Sequence, residues 1–167
     1  GFGVDQAASA LDGLGIADYM IEVGGEIRTK GRNGDGRSWQ LAIERPDAMP
    51  QRALRVVPLE GRSLATSGDY RNFFMHRGRR YSHEIDPASA APVDHALASV
   101  SVVADDCMHA DAWSTALFVL GPGRGFELAT RQRLAAYFVE RRGDGSFGER
   151  QTPAFSELGG RNVAWPA

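Results

Sequence analysis

Two stretches of this chain carry residues whose types and spacing could do chemistry. In the first, His109-Ala110-Asp111-Ala112-Trp113-Ser114-Thr115, Asp111 and Thr115 stand four apart, which on a helix sets them side by side. A carboxylate and a hydroxyl so placed can share a hard cation such as Mg²⁺, which takes oxygen ligands and leaves other positions to water or substrate phosphates. The plainer alternative makes Asp111 a first-turn acid and Thr115 a small core residue whose hydroxyl bonds back to the preceding turn. His109 adds no zinc site, because residues two apart on a helix do not face each other. In the second stretch, Ser67 to Pro87, a small-residue turn at Ser67-Gly68-Asp69-Tyr70 leads to another at Arg77-Gly78-Arg79. The run Arg80 to Ile85 then has strand character and stops at Asp86-Pro87. This predicts a hairpin whose second strand delivers His83 and Asp86 to one end of a sheet.

Those residues need elements to hold them. An Ala-rich helix is expected from about Val4 to Leu14, with Leu11 and Leu14 facing one side. Strands follow at 18–23, 26–30, 39–45 and 53–59, with a hairpin loop at 31–36, a loop at 46–50, and Pro58 marking an edge or end. Up to that point the chain reads as a β-meander. The apolar run Leu97–Ala104 is a strong strand, and Asp105-Asp106 then suit the positive end of a helix over 108–120. Ala112, Ala116, Leu117 and Leu120 are its expected buried face. Gly121 to Gly125 ends that helix, a short helix covers 126–133, and Gly143-Asp144-Gly145 turns a last hairpin. Strands joined by tight turns give an α+β fold, mostly antiparallel, with helices packed on one face.

A chain of 167 residues makes a single domain, 1–167, large enough to close a core. A hydrophobic fraction of 43% argues against disorder. The net charge of −2 supplies no field for nucleic acid and no polybasic membrane patch. Cys107 is the sole cysteine, which excludes an intrachain disulfide and a cysteine-built zinc site. No apolar run reaches the length of a membrane span, and the first residues carry no signal-peptide or lipid-anchor pattern. On local grounds His76 and His95 are solvated loop residues, His83 a strand residue bonded to backbone, and Trp39, Trp113 and Trp165 packing residues.

The segments SGDYRNFF, YSHEIDP, SVSVVADDC and HADAWSTALFVLG, in this order and spacing, closely resemble the ApbE family, the FAD:protein FMN transferases. Gly1 to Ala8 is similar to the family's G-[YF]-x-V-D helix start, and Gly24-Gly25-Glu26-Ile27-Arg28 to its GG[ED]IR turn. The resemblance implies an ApbE-like, T-fold-related domain and a Mg²⁺-dependent reaction on FAD. FMN passes to a Thr or Ser hydroxyl of an acceptor protein, and AMP is released. It implies Asp111 and Thr115 as metal ligands, and His83 beside the flavin phosphate as base or positioner. Asp86 would orient the site or end the hairpin. Ser67, Gly68, Asp69 and Tyr70 would line the FAD pocket, with Glu26 on the neighbouring turn.

Departures from the family pattern set the alternatives. Ser89-Ala90 stands where the family carries T-G, and Glu84 where it carries an apolar residue. The family's long segment before the G-F-G-V-D equivalent, with its G-[AG]-I-A-K-G run, has no counterpart here. The expectation is therefore an incomplete family domain that pairs with a missing N-terminal half or forms a homo-oligomer. The rival functions are a non-catalytic flavin-binding module, a variant that hydrolyses FAD to FMN and AMP, and a subunit that only completes another chain's fold. The resemblance also implies a periplasmic or envelope location.

Overall fold

The central strand of the molecule is buried on both sides, and the rest is layered about it. A computed structural model describes residues 1–47 and 51–163. In chain order it contains α1 (Phe2–Gly13), β1 (Tyr19–Val23), β2 (Glu26–Lys30), β3 (Trp39–Glu44), β4 (Ala53–Leu59) and β5 (Ser63–Gly68). The hairpins β6 (Phe73–His76) with β7 (Arg79–Ser82) and β8 (Ile85–Asp86) with β9 (Ala91–Pro92) come next. The chain closes with β10 (Leu97–Ala104), α2 (Cys107–Arg131), β11 (Ala135–Arg141), β12 (Phe147–Gln151), α3 (Pro153–Ser156) and β13 (Arg161–Asn162).

A six-stranded sheet in the order β1-β2-β5-β10-β11-β12 is the middle layer, and every pairing in it is antiparallel. Along β10, side chains alternate between two cores. Leu97, Val100 and Val102 meet Leu117, Phe118 and Ala129 of α2, while Ala98 and Val103 join Leu41, Ile43, Val57 and Phe155 on the other face. The two long helices therefore share one face of the sheet, with α1 lying against α2, β1 and β2. The second face is covered by a small sheet, β13-β4-β3, and by the single turn of α3. The fold is α+β and antiparallel, as the alternation of strands and turns predicts.

Several expected details are overturned. There is no meander: β2 pairs with β5, and β3 and β4 leave for the second sheet, so 31–36 is a crossing loop and not a hairpin turn. The alternating burial of β3 is what a strand of either sheet would show. Pro58 does sit where β4 is open on one side, since β13 pairs only with Arg55 and Val56. The buried residues of α1 are Val4 and Ala8, and Leu14 is exposed. On α2, Ala112 and Ala116 are exposed while Ala110, Ser114, Leu117 and Phe118 are buried. The expected break over 121–125 shrinks to one residue. Gly121 takes a positive φ of 79°, and the helix resumes at Pro122, whose missing N–H suits a first turn. Of the expected 46–50 loop, residues 48–50 lie outside the described residues, as does Trp165. No helix of the described residues is long and apolar enough to cross a membrane.

Candidate functional site

Ser67 and Gly68 are not in a turn; they end the inner strand β5, paired with Val100 and Ser99 of β10. Gly68 is required by close approach, because a Cβ there would meet the Ala98 carbonyl oxygen at 2.7 Å and the Tyr70 ring at 2.9 Å. The chain then bends, and Tyr70, His83 and the end of β5 line one cavity of about 480 Å³ with Glu26 of β2 and Asp111 and Thr115 of α2.

A hydroxyl relay joins sheet to helix. Ser114 Oγ donates to the Asp111 carbonyl at 2.9 Å, so its only proton is committed. At 2.9 Å Ser67 Oγ must then donate to Ser114, and at 3.0 Å it must accept from Thr115 Oγ1. The relay leaves the Thr115 lone pairs facing away from its own proton. The buried Ser114 is thus the residue that orders Asp111 and Thr115, a role its sequence position three after Asp111 could have signalled.

Asp111 and Glu26 together attract positive charge. Both are carboxylates on the wall of the same cavity. Among the described residues no three His, Cys, Asp or Glu side chains form a metal cage. The donors present, one carboxylate and one free hydroxyl oxygen, fit a hard cation that completes its shell with water or phosphate oxygens.

His83 lies just after β7, which ends at Ser82, three residues short of the strand expected to run through Ile85. The Ser82 hydroxyl accepts from the Glu84 N–H at 3.1 Å and diverts the backbone. His83 Nδ1 is 2.9 Å from the Asn72 carbonyl, which can only accept. Nδ1 therefore carries a proton, and in the neutral ring Nε2, 3.6 Å from Glu84 Oε1, holds the lone pair. Asn72 acts through its main chain, for which the sequence holds no signal. Glu22, Glu44 and Glu84 also line the cavity, so acids outnumber the basic Arg71 and His83 there, and Arg71 itself bonds Glu44 at 2.5 Å. Burial pushes the Tyr70 phenol up, and Glu44 adds to the shift.

Two of the residues singled out in the sequence stand elsewhere. Asp69 is buried away from the cavity, bonded to Arg141 Nη2 at 2.5 Å and Nη1 at 3.0 Å, with Arg80 Nε at 3.7 Å. Asp86 lines a second cavity, and its carboxylate accepts from the Ala88 N–H and the Ser89 hydroxyl in the β8–β9 turn. In that turn Ala90 takes a φ of +53°. His95 is not solvated loop. Its Nε2 donates to the Phe118 carbonyl at 2.8 Å, the group left without a helical donor because Pro122 has no N–H. Asp5 has a role no local pattern announced: its carboxylate accepts from the Cys107 and Met108 N–H groups at the start of α2 and from Arg28.

Residues 1–138 match the model of the ApbE family. The chain is 46% identical over 159 residues to the FAD:protein FMN transferase of Haemophilus influenzae and 39% identical over 158 residues to that of Escherichia coli K12. Each alignment covers 95% of this chain but 46% and 45% of those proteins, so the chain spans about half the length of the curated relatives it matches. The apo flavinyl transferase ApbE of Pseudomonas stutzeri superposes with a TM-score of 0.82 at 45% identity, covering 94% of this chain and 48% of that one. An ApbE protein of Thermotoga maritima gives 0.81 at 27% identity, over 95% of this chain and 50% of its own. By this match along its length and in its fold, the chain belongs to the ApbE family.

Proposed function

We propose that this chain carries residues of a protein flavinylation site, working by Mg²⁺-dependent transfer of FMN from FAD to a Thr or Ser hydroxyl of an acceptor protein. The observation that carries the reading is the acid-lined cavity around Asp111 and Thr115. Anionic pyrophosphate enters such a cavity only with a cation to offset Glu26, Asp111 and the other acids. A bound Mg²⁺ would supply that charge and polarise the phosphoryl oxygens. Asp111 and Thr115 would hold it, with Thr115 kept in orientation by Ser67 and Ser114.

The acceptor hydroxyl oxygen bonds to the FMN phosphorus, the pyrophosphate P–O bond breaks, AMP leaves with the bridging oxygen, and the hydroxyl proton passes to His83 Nε2. His83 suits this because its Nδ1–H is tied to the Asn72 carbonyl and its ring is half exposed at the cavity. Asp69 and Asp86 act at a remove, the first on the fold and the second on a turn.

The test is incubation of the purified chain with FAD, Mg²⁺ and a Thr-bearing peptide. AMP together with flavin on the peptide is expected, and Asp111→Ala should abolish both while leaving the thermal midpoint nearly unchanged. Activity that survives Asp111→Ala would remove the metal assignment. AMP without labelled peptide would favour the hydrolytic alternative, in which water replaces the hydroxyl. Saturable FAD binding with no AMP would favour the non-catalytic module.

A further inference from the structure

We propose that the β6–β7 hairpin is the docking surface for the acceptor, taking an acidic, apolar-flanked segment in extended form as a third strand along β6. This rests on the transferase reading above, since a protein substrate has to reach the cavity.

Every residue of β6 is exposed, and Phe73, Phe74 and Met75 are 43%, 54% and 58% exposed. Three consecutive large apolar side chains on solvent are out of place in a small edge strand, which ordinarily protects itself with charge. The strand pairs only with β7 among the described residues, so one row of its backbone groups is open to a further strand. The hairpin is held for such a use. Phe74 stacks on Tyr81 at 5.0 Å, Arg80 lies 3.7 Å over the Phe73 ring, and Arg80 also donates to the Asp69 carbonyl at 2.6 Å.

Charge selects the partner. From Tyr70 to His83 the chain has four Arg and no acid. Arg71 is paired with Glu44 and Arg80 with Asp69, whereas Arg77 stands exposed at the hairpin tip. The two-residue turn Arg77-Gly78 has φ of 49° and 75°, a type I′ turn in which Asn is the favoured first residue. An Arg here accepts a backbone penalty that a purely structural turn would avoid.

Continuity with the cavity sets the direction. Asn72 and His83, the residues that bracket the hairpin, both line the cavity, and they are bonded to each other. A strand laid along β6 therefore runs into the cavity at Asn72. A hydroxyl residue one or two places beyond the residue opposite Phe73 arrives beside His83.

The experiment measures fluorescence anisotropy of two labelled short peptides binding to the whole chain. Each carries one Thr flanked by Leu, and they differ in Asp against Lys at the outer positions. The Asp peptide should bind about tenfold or more tighter than the Lys peptide, and more weakly as salt rises. Met75→Ser should weaken it about tenfold, roughly the effect of one large apolar contact. Arg77→Asn should weaken it about threefold to fivefold, the scale of one exposed charge pair, although Asn-Gly strengthens the hairpin itself. Equal binding of the two peptides, binding of neither, or unchanged affinity in both variants would overturn the proposal. FAD binding, followed in parallel by flavin fluorescence, keeps the failures apart. FAD binding without peptide selectivity sinks the docking surface alone, and peptide selectivity without FAD binding sinks the flavin reading alone.

Discussion

Replacing Asp69 by Asn tests whether one buried carboxylate holds the hairpin and the end of the sheet in place. The change keeps the volume and removes the charge. Asp69 has a side-chain exposure of 12% and faces Arg141 at 28% and Arg80 at 33%. Burial and the nearby Arg141 already outweigh Asp69 at Arg80, whose pKa is lowered, so this carboxylate is shared between two cations. Stripping one partner from a fully buried pair costs about 3–5 kcal/mol. Here the arginines reach solvent in part, and each keeps a main-chain acceptor, Leu97 O for Arg141 and Asp69 O for Arg80. These facts bring the expected loss down to about 2–3 kcal/mol. With a urea slope of about 2 kcal/mol per molar, the midpoint of unfolding should fall by about 1–1.5 M. In an Arg141→Met background the same change should cost clearly less, because the nearer of the two counter-charges is gone and Arg80 alone remains. A midpoint that moves by less than about 0.25 M, equivalent to about 0.5 kcal/mol at that slope, would refute the shared-carboxylate argument.

Three further outcomes follow from backbone and burial. Ala90→Gly should raise stability by about 0.5–1 kcal/mol, because Ala90 sits at φ +53° where a side chain costs about 1–2 kcal/mol and glycine's extra chain entropy offsets part of it; a lower melting temperature would contradict this. Gly68→Ala should cost about 1–3 kcal/mol in urea unfolding, since its Cβ would press on the Ala98 carbonyl of the inner strand pair. A neutral result would mean that β5 and β10 can part more easily than their register implies. Burial pushes the Cys107 thiol up to about 12, so between the unfolded value near about 8.5 and that value the native state keeps a proton that the unfolded chain loses. The contribution is present below that window and is lost as pH rises through it. Stability measured at pH 8 and pH 10 should therefore fall more in the parent chain than in Cys107→Ala; equal falls would show that the thiol is not the group responsible.

The sequence was most informative where a choice is local. Leu97–Ala104 is an inner strand because apolar and small residues run along it unbroken and all but Ala104 are buried, and Asp106 caps α2 by accepting from the His109 N–H. The Asp111/Thr115 pair was legible because four residues on a helix place side chains together by geometry alone. Partner choice was not legible. β3 alternates as a strand of the main sheet would, yet β3 and β4 pair with each other in a second layer while β2 pairs with β5. His95 reads as a loop residue until the carbonyl that Pro122 strands at Phe118 is brought beside it. Asp69 and Tyr70, adjacent in the motif, face different surroundings because the chain bends straight after Gly68. His83 owes its tautomer to a main-chain oxygen, and side-chain identity carries no record of that.

Where strand β5 meets helix α2, the contact through Ser67, Ser114 and Thr115 is made of hydroxyls where methyl groups would have filled the space as well. Packed methyls fix a distance, whereas hydroxyls also fix an order of protons. A ligand that competes for one of these oxygens would redirect that order by turning hydroxyl protons, with no heavy atom of the backbone displaced. The junction therefore separates two properties that are usually coupled, being stiff in position and soft in polarity. A ligand that draws on the Thr115 oxygen would leave far-ultraviolet circular dichroism unchanged, and its arrival would register instead in probes of the hydroxyl protons.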